Sequence, residues 1–186
     1  MIADTDEAHE MRPVRKVVLP SDLAGVPNGK LPARVLREIT PRGRLHHLAA
    51  NAWEAMRAAA LADGIRPFRP TSLGDTYRPL SQQTALFLAR YTLNPIEGRP
   101  TVVWEGKTYY LLPRVAQAAR PGTSNHGWGL AVDVWGASGD RLEWLEENAL
   151  SFGFSWEFRS GAEPWHIRYF RGDRVPVRVK RWTESK

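Results

Sequence analysis

Two short stretches of the chain bring together the residue types that bind a catalytic metal. The first, Ser124 to Asp133, contains His126 and ends on a carboxylate, and the second, Glu163 to His166, carries a carboxylate and another imidazole. Two imidazoles and one carboxylate are typical of an open zinc site, in which a fourth position stays free for water. Glu163, which is left over, would then serve as a general base.

The spacing of His126 and Asp133 predicts a turn followed by a strand. On one helix the two residues would lie roughly 10 Å apart along the axis, too far for two short side chains to share an ion. Gly127 and Gly129 also disfavour a helix there. We therefore predict that the chain doubles back after His126 and that residues 130–135 form a buried strand carrying Asp133 towards the imidazole.

Pro164 determines our expectation for the second stretch. A residue that precedes proline favours an extended conformation, so we expect Glu163 to lie in an extended loop. Residues 165–170 then read as an alternating strand with His166 near its start.

Together the two stretches resemble the motifs of the M15 peptidases. Residues 124–133 read Ser-x-His-x-x-Gly-x-Ala-x-Asp, and residues 163–166 read Glu-x-Trp-His. That family includes D-alanyl-D-alanine carboxypeptidases, their vancomycin-resistance relatives and phage L-alanyl-D-glutamate endopeptidases. Its wider superfamily includes lysostaphin-type enzymes and the Hedgehog signalling domain. The resemblance covers about residues 45–172. It implies that His126, Asp133 and His166 bind Zn²⁺ and that Glu163 is the catalytic base.

The resemblance extends to residues around this core of the site. Tyr77-Arg78, followed five residues later by Gln83, resembles the family segment whose arginine contacts the polarised carbonyl. Arg78 is therefore expected to stabilise the oxyanion, with Tyr77 and Gln83 near the substrate. Ser124 is expected to orient the metal ligands by hydrogen bonding, and Trp165 to pack beneath the metal.

Composition indicates a soluble globular chain with an anionic partner. The chain has 186 residues, a net charge of +6 and no cysteine, which excludes disulfides and thiolate metal sites. The positive charge fits either a bacterial wall, with its carboxylates and phosphodiesters, or a generally basic solvated surface, and no motif supports nucleic acid. No apolar run reaches the ~18 residues that span a membrane. The polar, acidic start lacks the features of a secretory signal, so we expect release by a partner pore or carriage on a virion.

Periodicity and the resemblance together predict an α+β fold, with a small antiparallel sheet carrying the zinc ligands and helices packed on one face. Three parts are expected: an irregular, proline-rich arm over 1–43, a peptidase domain over 44–173 and a basic, mobile tail over 174–186. The expected elements are helices over 44–62, 81–90 and 140–150, a strand within 65–78, and a hairpin over 102–112 that turns at Glu105-Gly106. The hairpin lies in an extra segment, residues 91–122, which we expect to form either one wall of the cleft or a structural flap.

His46 and His47 stand outside these motifs. Because they are adjacent on the predicted helix, they are expected to point to different sides and to be structural.

The sequence predicts a monomeric zinc peptidase that cuts the peptidoglycan stem peptide, with a slight preference for a phage-type endopeptidase. The alternative within the family is a D-alanyl-D-alanine carboxypeptidase, which needs a cation for the terminal carboxylate; Arg114 and Arg120 are the candidates. Outside this class, two histidines and a carboxylate also hold ferrous iron in oxygenases. A non-catalytic, zinc-containing wall-binding or phage-tail module remains, although an intact Glu163 disfavours it.

Overall fold

The computed structural model describes residues 12–159 and 162–186, so residues 1–11 of the predicted arm lie outside the described part. The eight strands there are β1 (Leu36–Glu38), β2 (Arg44–His46), β3 (Tyr91–Thr92), β4 (Thr101–Trp104), β5 (Lys107–Leu111), β6 (Ala131–Asp133), β7 (Phe154–Trp156) and β8 (His166–Tyr169). The helices are α1 (His47–Ala62), α2 (Leu80–Leu88), α3 (Asp140–Asn148) and α4 (Val177–Glu184). The strands pair as three small antiparallel sheets, and the predicted α+β class is confirmed. None of the described helices is both long and apolar enough to cross a bilayer.

The sheet β6-β8-β7 carries the second half of the site motif, with β8 in its centre. All four residues of β8 are buried, so the alternating pattern expected for this strand is wrong. A central strand covered on both faces reads as a continuous buried run instead. Arg168 tolerates this position because its guanidinium donates to the Trp156 carbonyl at 2.6 Å. The antiparallel register sets Asp133 directly opposite His166.

Helix α1 closes the main core against this sheet. Trp53 and Met56 are fully buried there, together with five alanines of the helix: Ala49, Ala50, Ala52, Ala55 and Ala60. Alanine is the strongest helix former and leaves room for close packing, and each buried large side chain contributes about 1.5–3 kcal/mol. The helix ends as expected, at Asp63 followed by Gly64 with φ +85°.

The start of α1 differs from the prediction. Residues 44–46 are strand β2 rather than the first helical turn, because they pair with β1. His46 is the N-cap, with extended backbone angles, and only His47 is helical. The change of backbone direction between them lets both rings lie together, with centroids 4.4 Å apart. The expectation that the two side chains point to different sides is therefore wrong.

The hairpin forms where it was predicted. Strands β4 and β5 pair antiparallel and turn at Glu105 and Gly106, whose φ values of +48° and +73° suit a tight hairpin turn. Strand β3 adds a third strand on the other edge of β5. Phe87 from α2 packs with Tyr91 and Tyr109 in a separate aromatic core that anchors this sheet to α2.

Two further local expectations are wrong. Helix α2 begins at Leu80 and has Pro79, not Ser81, as its N-cap, without a side-chain cap. Proline suits this boundary because the first helical N–H groups have no partner within the helix. Residues 65–78 form no strand: they contain a short 3₁₀ turn, Leu73–Asp75, and one bridge between Pro70 and Val134.

Both ends of the described chain are more ordered than expected. In the arm, two 3₁₀ turns and strand β1 precede α1, and Leu23, Leu31 and Val35 pack with Tyr77 in a second small core. The basic tail, expected to be mobile, forms α4, and its Val179 is fully buried in the main core. Hydrophobic contacts therefore hold both segments in place. The charged residues of these segments make such contacts hard to recognise in the sequence.

Candidate active site

Strand pairing brings Asp133 and His166 together. Directly opposed residues of an antiparallel pair have Cβ atoms about 4.5–5.5 Å apart and point to the same face. Here Asp133 Oδ1 lies 2.7 Å from His166 Nδ1. The contact thus follows from the register of β6 and β8 and needs no special loop.

His126 reaches the same point from a single 3₁₀ turn, Asn125–Trp128. Ser124 caps that turn, since its Oγ accepts a hydrogen bond from the His126 N–H at 3.2 Å. The turn ends at Gly129, whose φ of +62° is the left-handed conformation that redirects the chain into β6. The predicted reversal after His126 is therefore present, and His126 Nε2 lies 3.4 Å from Asp133 Oδ2.

The arm residue Asn28 packs directly against this turn. A Cβ atom at Gly127 would lie 2.0 Å from Asn28 Oδ1, so only glycine permits the approach. Asn28 Nδ2 donates to the Ser124 carbonyl at 2.8 Å, and its Oδ1 accepts from Gln83 Nε2 at 3.1 Å. The N-terminal arm therefore helps to fix the position of His126.

The donor atoms of His126, Asp133 and His166 fit a divalent zinc ion. One ligand atom from each residue lies within 4.8 Å of the others. The outer hydrogen bonds also select the ligating nitrogens: His126 Nδ1 lies 2.9 Å from the Thr76 carbonyl oxygen and donates to it, so the nitrogen left for a metal is Nε2, which faces Asp133. His166 Nε2 lies 3.2 Å from Glu157 Oε2, which in the same way leaves Nδ1 facing Asp133.

The electrostatics of the cluster favour a cation between the three side chains. Burial alone would raise the pKa of Asp133, but hydrogen bonds from His126 and His166 hold that pKa well below its ordinary value. Burial lowers the pKa of His166, whereas Asp133 and Glu157 more than reverse this and raise the pKa to about 9. The hydrogen bond with His166 is also the main reason why the pKa of Glu157 is lowered. A positive charge at this point is thus stabilised by two carboxylates.

The cluster lies at one side of a cavity of about 410 Å³. This cavity is also lined by Glu163, Arg78 and Trp165, and by residues 116–119 of the extra segment 91–122. A volume in this range suits a small ligand or the end of a peptide. The segment 91–122 therefore contributes a wall of the cavity through residues 116–119.

Glu163 faces the cavity without a hydrogen bond to its carboxylate among the described residues. Its φ is +49°, so the extended conformation expected before Pro164 is wrong. A non-glycine residue in the left-handed region costs about 1–3 kcal/mol, and such strain is concentrated at functional sites. The Glu163 carbonyl accepts from His166 N at 3.0 Å, which links the backbone of the predicted base to that of a predicted metal ligand.

Arg78 is fixed from both its backbone and its side chain. Its N–H donates to the His126 carbonyl at 3.0 Å, Nε donates to the Gly74 carbonyl at 2.9 Å, and a guanidinium nitrogen lies 3.5 Å from Asp75 Oδ1. Burial lowers the pKa of Arg78, while Asp133 and Asp75 oppose that shift. The guanidinium is thus preorganised close to the metal cluster.

The remaining predicted residues lie in different places. Gln83 is buried and joins Asn28, the Arg78 carbonyl and the Gly122 N–H, so it positions the wall of the cavity. Tyr77 does not line the cavity; its hydroxyl accepts from Leu31 N at 3.1 Å in the second core. Trp165 is 44% exposed at the rim, so the expectation that it packs beneath the metal is wrong.

A comparison with known proteins matches the region that contains these residues. A family profile described as VanY, D-alanyl-D-alanine carboxypeptidase, matches residues 42–172, well over half of the chain. The chain belongs to the VanY family. The predicted membership among M15-type peptidases is thereby confirmed, and both motifs lie inside the matched region. A zinc-dependent peptidase is the class of enzyme that this membership implies.

Individual VanY relatives agree with the assignment. A D-alanyl-D-alanine carboxypeptidase of Enterococcus faecalis is 30% identical over 128 residues, which are 60% of this chain and 42% of that protein. This chain thus spans less than half the length of that relative. Solved structures share the fold: VanYB in complex with D-alanine-D-alanine has a TM-score of 0.53 at 20% identity, covering 91% of this chain and 92% of the other. A VanY D,D-pentapeptidase in complex with Zn(II) has a TM-score of 0.50 at 23% identity, covering 75% and 82%.

Sequence reasoning missed the contacts through which three residues shape this site. Thr76 acts through its backbone carbonyl directly before the Tyr77-Arg78 segment, and Asn28 acts through its side-chain amide on a segment far from the motifs. Glu157 follows the buried strand β7 and contacts His166 only because β7 pairs with β8. The single signal available was an acid placed directly after an apolar strand.

Proposed function

We propose that this chain is a zinc-dependent carboxypeptidase that removes the terminal D-alanine from peptidoglycan stem peptides. The observation that carries the proposal is the cluster of His126, Asp133 and His166 beside a cavity that also holds Glu163 and Arg78. Membership in the VanY family and a complex of one relative with D-alanine-D-alanine support the choice of bond. The net charge of +6 suits an anionic wall polymer.

His126, Asp133 and His166 would hold the metal, with Ser124 and Glu157 orienting two of these ligands. Bound zinc supplies Lewis acidity, which polarises a peptide carbonyl and lowers the pKa of water. The Glu163 carboxylate, which has no hydrogen-bonding partner among the described residues, accepts the proton of the attacking water and then delivers it to the leaving amine.

Arg78 faces the cavity with its guanidinium already held by Gly74 and Asp75. A fixed cation at the point where negative charge develops on the carbonyl oxygen needs no reorganisation during the reaction. In this proposal Arg78 stabilises the oxyanion, and Gln83 keeps Arg78 in place through the Arg78 carbonyl, which it reaches at 3.0 Å.

The phage-type endopeptidase that the sequence slightly favoured stays a prediction, as do release by a pore or on a virion and the monomeric state. The two activities differ in what lies beyond the scissile bond, because a carboxypeptidase binds a free carboxylate and an endopeptidase leaves room for more polymer. The carboxypeptidase has the support of the family, and the following test separates the two.

The zinc-loaded protein is incubated with a soluble pentapeptide ending in D-Ala-D-Ala and, separately, with intact cross-linked walls. Released products are identified by mass spectrometry, with Glu163→Gln as the matched control. Free D-alanine from the pentapeptide, absent in the control, is the expected result. Solubilised walls without free D-alanine would replace the proposal with an endopeptidase, and inactivity on both substrates would favour a non-catalytic wall-binding module.

A further inference from the structure

Two guanidinium groups line the cavity, and they differ in their partners. Arg78 is neutralised in part by Asp75 at 3.5 Å. Arg90 lines the same cavity, is half-buried, and has no carboxylate partner among the described residues. A half-buried cation without a counter-charge is unfavourable unless a ligand supplies one. The Arg90 guanidinium therefore favours the binding of an anion in the cavity.

The position of Arg90 is fixed by its surroundings. It follows α2, where its N–H donates to the Phe87 carbonyl at 3.0 Å and its carbonyl accepts from Leu112 N at 2.8 Å. Phe87 stacks on Tyr91 with ring centroids 4.5 Å apart, so an aromatic core holds the chain next to Arg90 in place. One guanidinium N–H donates to the Gln117 carbonyl at 3.0 Å, which aims the group along the wall formed by residues 116–119.

Charge is distributed unevenly around the cavity. The carboxylates of Asp133, Glu157 and Glu163 come from the sheet and its loops, whereas Arg78 and Arg90 flank α2, where Asp75 is the lining carboxylate that partners Arg78. The positive charge of Arg90 is close enough to contribute to lowering the pKa of Arg78. A substrate with a polarised carbonyl at the metal and a free carboxylate beyond it would match this arrangement.

We propose that Arg90 is the specificity-determining residue that binds the free α-carboxylate of the leaving C-terminal residue. This inference rests on the proposed carboxypeptidase function and names the cation that such an activity needs. The two cations considered from the sequence, Arg114 and Arg120, are both exposed and do not line the cavity. Arg90 lies at the end of a helix, 36 residues before His126, and no motif identifies it.

The test compares two substrates that differ only at the terminus: an acyl-D-Ala-D-Ala peptide and the same peptide with a C-terminal amide. For the wild-type protein, kcat/KM should be higher for the acid. Arg90→Gln should lower kcat/KM for the acid by about 30-fold, because a hydrogen bond to a charged group is lost. The loss should appear in KM, since the carboxylate carries the same charge in the ground state and in the transition state. Cleavage of the amide should change little.

Three controls make the result specific. Arg120→Gln removes an equal charge outside the cavity and should behave as the wild type on both substrates. Arg90→Lys keeps the charge but not the planar fork, so it should restore part of the discrimination. Zinc content and melting temperature should be unchanged in all three variants.

Failure of this inference is distinct from failure of the proposed function. Release of D-alanine from the acid by the wild-type protein tests the function alone. If the wild type cleaves acid and amide equally, or if Arg90→Gln lowers both substrates to the same extent, Arg90 does not bind the carboxylate. An equal loss would show that Arg90 only supports the wall through Gln117.

Discussion

The described part of the chain contains two groups of two histidines and one aspartate whose donor atoms lie close together. The motif cluster consists of His126, Asp133 and His166, and the helix-start cluster consists of Asp22, His46 and His47. In both, a carboxylate bridges two imidazoles: in the helix-start cluster, Asp22 Oδ1 and Oδ2 lie 2.8 Å and 2.9 Å from the Nε2 atoms of the two histidines. Residue types alone do not distinguish the clusters.

The partners of the outer ring nitrogens do distinguish them. In the motif cluster, His126 Nδ1 donates to a carbonyl, which leaves Nε2 free to bind a metal. In the helix-start cluster, His46 Nδ1 instead accepts from the Leu48 N–H at 3.4 Å, as the N-cap of α1. Burial lowers the pKa of His46, an effect that Asp22 only partly opposes, so the ring is neutral and carries its one proton on Nε2, directed at Asp22.

The surroundings of the two clusters also differ. The motif cluster lines a cavity together with a base and a cation, whereas the helix-start cluster joins the N-terminal arm to α1. Asp173 fixes the same part of the arm by accepting from Ser21 N at 3.1 Å. We therefore infer that the motif cluster is the metal site, because its outer hydrogen bonds leave the facing nitrogens available as ligands. We expect one zinc ion per chain, in the motif cluster.

The largest expected difference concerns metal content. Asp133→Ala should reduce zinc from one ion per chain to none and lower turnover by at least about 1,000-fold, because the Lewis acid is worth several kcal/mol. Asp22→Ala, the matched change in the helix-start cluster, should keep one zinc ion. Elemental analysis after dialysis measures both. A wild-type protein with two zinc ions, one of them lost in Asp22→Ala, would show that the clusters are equivalent.

Glu163→Gln should separate metal binding from catalysis within the motif cluster. The amide cannot accept a proton, so turnover should fall by about 10²- to 10⁴-fold while zinc content and the fold are retained. Steady-state kinetics and zinc analysis on the same sample provide the measurement. Full activity in this variant would move the base elsewhere, and Glu157 would then be the next acid to test.

The outer carboxylates should have a smaller and different effect. Glu157→Gln removes the charged partner of His166 Nε2 and should weaken zinc affinity by about 10- to 100-fold. Turnover at saturating zinc should fall much less. Asp173→Asn, the comparable change next to the helix-start cluster, should leave zinc affinity unchanged. Competition with a chromophoric chelator measures the affinity, and equal effects of the two changes would contradict the assignment.

The smallest effect is a pH dependence of stability at the helix-start cluster. The folded-state pKa of His46 is depressed below the ordinary value of 6.5, so the unfolded chain binds a proton first as the pH falls. Stability from this residue is therefore complete above about pH 6.5 and lost below it, by at most about 1.4 kcal/mol per pH unit. The groups that face His46 are Asp22, His47 and Asp173, of which Asp22 has a lowered pKa and titrates only at lower pH.

His46→Gln should consequently show a flatter decline of unfolding free energy between pH 6.5 and 5 than the wild type. Urea denaturation at each pH, with both proteins in the same zinc state, gives the two curves. Parallel curves would mean that His46 titrates as it does in the unfolded chain.

Much of the site was predictable because it depends on local rules. Gly129 allows the left-handed conformation that ends the turn at His126, and the period-2 pattern of a strand puts Asp133 on a definite face. The turn at Glu105-Gly106 and the end of α1 at Gly64 follow from the same local chemistry. Where local signals conflicted with pairing, the prediction failed: residues 44–46 continue the helical pattern of α1 but form β2 because β1 lies beside them.

The sequence by itself determined the family and predicted the donor set and the base, because these predictions depend on the residue types and spacing of two motifs. Only the tertiary structure shows the partners of the outer ring nitrogens that distinguish the two clusters, namely the Thr76 carbonyl and Glu157 in one and the Leu48 N–H in the other. It also decided that Arg90, rather than Arg114 or Arg120, faces the cavity. The physical reason is that proton positions and solvent exposure depend on partners distant in the chain, which spacing along the sequence does not encode.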